Sequence, residues 1–258
     1  MKNYLVFICV LALFSCQENK SEPLTLEVGT YQASLEVKDD NLLPFLFEVT
    51  PENTLKIFNA EEEITVDEIT YRNDSVVINM PVYEGYITAK LTQDGFKGSF
   101  NKESLERYVP ITAVKSNERF TVSEKATQNV TGNWETLFSP DSEEDKYIAK
   151  GIFKQDGNRV TGTFRTTTGD YRYLEGVMDG NQMKLSTFDG AHAFLFTATV
   201  KDSTMKGMFY SGNHFKEPFV AKRNDTYELP SANSLTYLKD GYDKIEFSFP
   251  DDTGKQVS

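Results

Sequence analysis

From Leu24 to Arg223 apolar and polar side chains alternate with a period of two, and this constrains the fold more than any other feature of the chain. In TYQASLEV, Tyr31, Ala33, Leu35 and Val37 stand against Gln32, Ser34 and Glu36. In RVTGTF, Val160, Gly162 and Phe164 alternate with Thr161 and Thr163, and in NQMKLSTF, Met183 and Leu185 alternate with Lys184 and Ser186. A strand sends successive side chains to opposite faces, so these runs read as half-buried strands rather than helices. Between them lie Asp94-Gly95, Asp156-Gly157, Asp179-Gly180 and Asp189-Gly190, dipeptides suited to the type I′ turns of tight hairpins. The pattern predicts antiparallel meanders, an all-β fold.

The pattern also occurs twice. Gly29-Thr30-Tyr31 returns as Gly132-Asn133-Trp134, and VYEGYITAKL (Val82 to Leu91) is echoed by TFDGAHAFLFTATV (Thr187 to Val200), with Gly85 against Gly190. FKGSF (Phe96 to Phe100) is echoed by MKGMF (Met205 to Phe209), and VPITAVK (Val109 to Lys115) by EPFVAKR (Glu217 to Arg223), with Pro110 against Pro218. Four landmarks in one order, at offsets of roughly 103 to 109 residues, indicate a duplicated domain rather than a solenoid unit. The expected architecture is two antiparallel β-meander repeats, barrel- or sandwich-like, at residues 25–115 and 129–223. The polar Ser116 to Gln128 joins them. Residues 224–245 form a linker in which Ser234, Leu235, Leu238 and Gly241 suggest a short helix, and NKESLERY (Asn101 to Tyr108) suggests a similar turn.

The first residues belong to a different physical class. Lys2 precedes the apolar run YLVFICVLALF, which is too short to span a bilayer comfortably and gives way at Ser15-Cys16 to QENKSE. That arrangement resembles a bacterial lipoprotein signal, with residues 1–15 removed, Cys16 lipidated and residues 16–24 serving as a tether. The expected location is the bacterial cell envelope, periplasmic side or outer-membrane surface, with the membrane contacted through lipid. The chain's two cysteines are Cys9 and Cys16, so the mature domain has no thiol for a disulfide, a nucleophile or a thiolate metal site. A net charge of −12 argues against nucleic acid as a partner.

Groups suited to chemistry are few. There is no Gly-x-Ser-x-Gly, phosphate loop, dinucleotide-binding turn or Cys pair, and no catalytic residue, metal or cofactor is expected. FRTTTGDYRYLEG (Phe164 to Gly176) gathers residue types that dominate recognition surfaces, and Arg165, Tyr171 and Tyr173, with Trp134 near a barrel mouth, are candidates for ligand contact. The alternative for these residues is a Thr/Tyr-rich exposed sheet face. His192 and His214 are also candidates, and with Asp189 and Glu217 they form the best set for a hydrolase. Asn73-Asp74-Ser75, Asn129-Val130-Thr131 and Asn224-Asp225-Thr226 match the glycosylation sequon and read as turn chemistry.

At the end, EFSFPDDTGKQVS places Phe247 and Phe249 in a strand pattern before an acidic Asp251-Asp252-Thr253-Gly254 turn. Through Phe247, Phe249, Pro250, Gly254, Val257 and Ser258 it resembles the opening of the thioredoxin-like domain in the alkyl-hydroperoxide-reductase/thiol-specific-antioxidant and TlpA-like superfamily. GTFRTTTGDYRYLEG, KLSTFDGAHAFLFTA and FYSGNHFKEPF are similar to the β-rich region that precedes that domain in lipoproteins of the group. The resemblance implies a thiol–disulfide lineage with a protein redox partner. The family's Cys-x-x-Cys has no counterpart here, so no residue inherits its role. The expectation is a truncated chain whose residues 246–258 begin a missing domain, with Phe247 to Ser258 frayed. Its function would be non-catalytic binding or scaffolding. A small-ligand barrel of lipocalin or avidin type is the alternative.

Overall fold

The structure, a computed structural model, describes residues 24–257. The signal segment, Cys16 and nearly all of the tether lie outside the described residues, as does Ser258. Tyr31, Ala33 and Leu35 are buried along β1 (Gly29–Glu36), as their alternation requires. The strands that follow are β2 (Leu42–Val49), β3 (Leu55–Asn59), β4 (Glu62–Val66), β5 (Ile69–Arg72), β6 (Ser75–Asn79), β7 (Tyr86–Thr92), β8 (Gly95–Lys102) and β9 (Arg107–Lys115). All pair antiparallel, and β1 pairs with both β2 and β9, so the sheet curls back on itself in the order β4-β3-β2-β1-β9-β8-β7-β6-β5. It stays open between its edges, β4 and β5. Glu62 and Glu63 on the β4 edge hinder its pairing with another chain.

The second repeat closes completely. Strands β10 (Gly132–Phe138), β11 (Tyr147–Asp156), β12 (Arg159–Thr166), β13 (Leu174–Asp179), β14 (Gln182–Phe188), β15 (Ala193–Lys201), β16 (Thr204–Ser211) and β17 (Phe215–Arg223) form an eight-stranded barrel. Here the single strand β13 pairs with both β12 and β14, at the place where the first repeat has the two unjoined strands β4 and β5.

Duplication is visible in register as well as in strand order. Ala89 faces Gly98 and Ser99 faces Pro110 in the first repeat; Ala198 faces Gly207 and Met208 faces Pro218 in the second. A Cβ on Gly98 would lie 2.0 Å from the Thr88 carbonyl oxygen, and one on Gly207 would lie 2.4 Å from that of Thr197, so both positions need glycine. Tyr31 donates its hydroxyl to the Glu27 carbonyl at 2.9 Å, and Trp134 donates Nε1 to the Val130 carbonyl at 2.9 Å, each four residues back.

Aromatic rings fill both interiors. In the second barrel Phe164 and Phe196 lie 4.9 Å apart, Phe196 and Phe209 4.7 Å, and Phe138 and Phe219 5.4 Å. In the first, Tyr31 stacks on Phe47 at 5.2 Å. The first barrel's core also takes in Phe188, Ala193, Leu195 and Tyr210 from the second, so the two repeats share a packed seam. Phe188 stacks on Phe45 at 4.3 Å and meets Phe100 edge-on at 5.0 Å, while its backbone exchanges two hydrogen bonds with the Asn59 side chain.

Four expectations need correcting. At Asp156-Gly157 and Asp179-Gly180 the aspartate is the last strand residue, and the loop is Gly157-Asn158 or Gly180-Asn181. Each glycine has φ near +58° while the asparagine does not, a type II′ arrangement rather than I′. The helix is confined to α1 (Ala232–Leu235) and stops before Leu238, because no surface covers its apolar side: Leu235 and Leu238 are both exposed. The final hairpin closes, with β18 (Phe249–Pro250) pairing β19 (Gln256–Val257). Asp251 Oδ1 accepts from the Thr253 and Lys255 backbone at 3.0 and 2.9 Å, which turns the chain locally, though Phe247, Phe249 and Val257 remain exposed. Finally, the Ser116 to Gln128 connection is a bound strap, with Arg119 buried between the barrels. Among the described residues no helix is long and apolar enough to cross a membrane.

Candidate functional site at the seam between the barrels

Arg119 organises the centre of the seam. Its guanidinium donates to the Phe58 carbonyl of the first barrel and, at 3.3 and 3.1 Å, to the carbonyl and hydroxyl of Ser186 in the second. Ser186 in turn donates to the Pro44 carbonyl. Burial pushes Arg119 down to about 10, with Glu175 at 3.8 Å opposing the shift, so it stays charged at neutral pH. Glu175 also accepts from the Ala60 backbone at 2.9 Å and from Arg159 at 2.8 Å, binding barrel to barrel a second time.

Beside this staple, the four-residue loop from Phe188 to Ala193 buries Asp189. Its Oδ1 accepts from the Ala191 and His192 backbone at 2.8 and 2.6 Å; its Oδ2 meets His192 Nδ1 at 2.9 Å and Arg172 Nε at 3.0 Å. A carboxylate only accepts, so Nδ1 of His192 carries the proton, and Nε2 has no hydrogen-bond partner among the described residues. Burial alone raises the Asp189 carboxyl, but the His192 ring and the two backbone donors outweigh it and hold it below its ordinary value. Arg172, at φ +61°, reaches back to Glu62 of β4 at 2.6 Å.

Asp189 thus stands between two clefts and holds one wall residue of each. The larger, about 1030 Å³, runs between the β3–β4 turn and strands β11 and β12; its walls include Glu61, Arg159, Asp170, Arg172 and Tyr173. The smaller, about 240 Å³, lies where β8 and β9 meet the loops flanking β15 and β16, and both His192 and His214 line it.

The residues expected from sequence fall into three places. Trp134 is fully buried at the end of the second barrel, with the Arg223 guanidinium 4.6 Å over its ring. Tyr171 is packed among Phe138, Phe196 and Phe209, and its hydroxyl lies 2.5 Å from that of Tyr147. Tyr173 is exposed and lines the larger cleft, so the three rings do not converge on one pocket. Arg165 is exposed on β12, its backbone paired with Lys150 on one side and Asp170 on the other. His192 and His214 do come together, in the smaller cleft.

The hydrolase set divides. Asp189 pairs with His192, whereas Glu217 accepts from Ser139 and Tyr147 at 2.6 Å each in the mouth of the second barrel. Burial and the Glu217 and Tyr171 bonds push the Tyr147 phenol far up, and burial pushes Tyr171 up to about 12. Ser211 lines the cleft beside His192, but no hydrogen bond joins them. Among the described residues no group of three or more His, Cys, Asp and Glu side chains is placed to hold a metal ion. Arg172 lies in the recognition-like stretch Phe164 to Gly176 without being one of its candidate contacts. Sequence reasoning missed Lys102, Arg107 and Arg119, none of which sits in a motif because the groups they meet lie in the other repeat or across the seam. Compared with protein-family models, with curated proteins and with solved structures, the chain has no match.

Proposed function

We propose that this chain is the lipid-anchored, non-catalytic β module of a cell-envelope protein of thioredoxin-like lipoprotein lineage, and that it works by binding at the seam between its barrels. The observation that carries the binding site is the contrast between interior and seam. Trp134, Phe138 and Tyr171 are packed against other rings inside the second barrel, while both clefts open where the barrels meet. Support for the anchor is the polar boundary at Cys16, and support for the absence of thiol chemistry is that Cys9 and Cys16 are the chain's two cysteines. The lineage rests on the resemblance of the Phe247 to Ser258 segment.

The test expresses the full chain in a bacterium with a lipoprotein pathway and follows incorporation of labelled palmitate. Lipid should label the wild type and be lost in Cys16→Ser, and the purified chain should not reduce a disulfide substrate. Unlabelled wild-type protein, or turnover in the thiol assay, contradicts the reading.

A further inference from the structure

The smaller cleft gathers basic side chains in a chain of net charge −12. Lys102 and Arg107 from the first barrel and His192 and His214 from the second line it, and no carboxylate does. Nearby acids are engaged: Asp189 with His192 and Arg172, Asp39 with Lys216 at 2.5 Å, and Glu103 with the Tyr86 hydroxyl. Lys102 uses one donor, on the Ala191 carbonyl at 3.2 Å, leaving two of the three an ammonium carries. Among the described residues the Arg107 guanidinium has neither a hydrogen bond nor an ion pair, and His192 presents its second nitrogen. Lys102 and Arg107 share the wall with no carboxylate among the lining residues, so their charges repel until an anion enters.

The walls narrow the choice of anion. Phe100 is buried and Phe194 stands 5.1 Å from the His192 ring, so the cleft has an apolar side as well as a cationic one. At about 240 Å³ it is smaller than the pockets that hold drug-sized molecules, which run from about 300 Å³ upward. We infer that the cleft binds a small organic monocarboxylate, its charge against Arg107, Lys102 and His214 and its short apolar body against Phe100 and Phe194.

The site couples to protons. Burial, then Arg107, Lys38 and Lys102, keep His214 below the usual imidazole value, so it enters the complex largely neutral at pH 7. An anion beside it reverses the balance and favours imidazolium. Binding therefore takes up a proton and tightens as pH falls from 8 to 6. Facing His214 are Lys38 of the 38–40 turn, Lys102, Arg107 and His192, whose Nδ1 is already fixed on Asp189.

This inference rests on the seam as the binding surface, and calorimetry with the full solubilised chain tests it apart from lipidation. Benzoate is the probe, inorganic phosphate the anion without an apolar body, and benzylamine the cation control. Benzoate should bind, more tightly at pH 6 than at pH 8, and more tightly than phosphate; benzylamine should not bind. Arg107→Gln should weaken benzoate about tenfold or more, as expected for a lost charge-assisted hydrogen bond. Arg107→Lys should retain most of the affinity, and near-ultraviolet circular dichroism should show both variants folded as wild type. Lys239→Gln, at an exposed side chain that lines neither cleft, should change nothing. Absent benzoate binding, phosphate preferred over benzoate, or binding indifferent to Arg107→Gln overturns the inference. Binding lost in Lys154→Gln, in the larger cleft, but kept in Arg107→Gln likewise overturns it.

Discussion

Phe188→Ala tests whether the two barrels are one cooperative body. The side chain belongs to β14 of the second barrel, is fully buried, and sits in the core of the first. Removing it deletes a stack with Phe45 at 4.3 Å and an edge contact with Phe100 at 5.0 Å. The backbone hydrogen bonds to Asn59 do not involve the ring and survive. A buried Phe→Ala change costs about 3 to 5 kcal/mol, at the upper end where neighbours cannot collapse into the space. Here the neighbours belong to two separately curved sheets, so relaxation is restricted. With a urea slope of about 2 to 3 kcal/mol per molar, the midpoint should fall by about 1 to 2.5 M. The assay is urea unfolding followed by Trp134 fluorescence, a probe buried in the second barrel, alongside far-ultraviolet circular dichroism, which reports on both. The two signals should coincide in wild type and move together in the variant. Tyr237→Ala, at an exposed ring, should stay within about 0.5 kcal/mol. A midpoint shift below about 0.3 M, or two separate transitions in the wild type, refutes the shared core.

Arg119→Ala leaves the Phe58 and Ser186 carbonyls without their buried donor and should cost about 3 kcal/mol in the same urea assay. Tyr147→Phe removes the hydroxyl between Glu217 and Tyr171, leaving a buried carboxylate short of a donor; a loss of about 1 to 3 kcal/mol should appear as a lower thermal midpoint. For Asp189 the sign follows from its lowered carboxyl. The folded group titrates below the unfolded one, so its stabilisation is complete above the ordinary aspartate range and is lost as pH falls through the lowered value. Urea midpoints of the wild type should therefore drop more steeply below pH 4 than those of Asp189→Asn.

Strands were legible because alternation is a local property. Tyr31, Ala33 and Leu35 announce their buried face without help from the rest of the chain, and the paired glycines and prolines of the two repeats fix the same register twice. Turn type was less legible, since whether Asp156 or Gly157 is central depends on the residue that Asp156 pairs with across the hairpin. The split of one strand into β4 and β5 has no local mark either; Asp67-Glu68 reads as an ordinary turn. The seam was the least visible part. Arg119 lies in a polar run that reads as a linker, yet its partners are Phe58 and Ser186, about sixty residues away on either side. The two histidines lie on one cleft, but their neighbours Lys102 and Arg107 come from the other repeat, which no local pattern announces. Trp134 and Tyr171 were chosen as recognition residues by type, and their burial was decided by the inward face of the strands that carry them or the loop packed on them.

The most direct measurement is amide and histidine chemical-shift mapping of the full chain titrated with benzoate at pH 6. Shifts should cluster at Lys102, Arg107, His192 and His214, residues of both barrels that meet at the smaller cleft. Shifts centred on Trp134, Phe138 and Phe164 inside the second barrel, or no shifts at all, would contradict a functional seam.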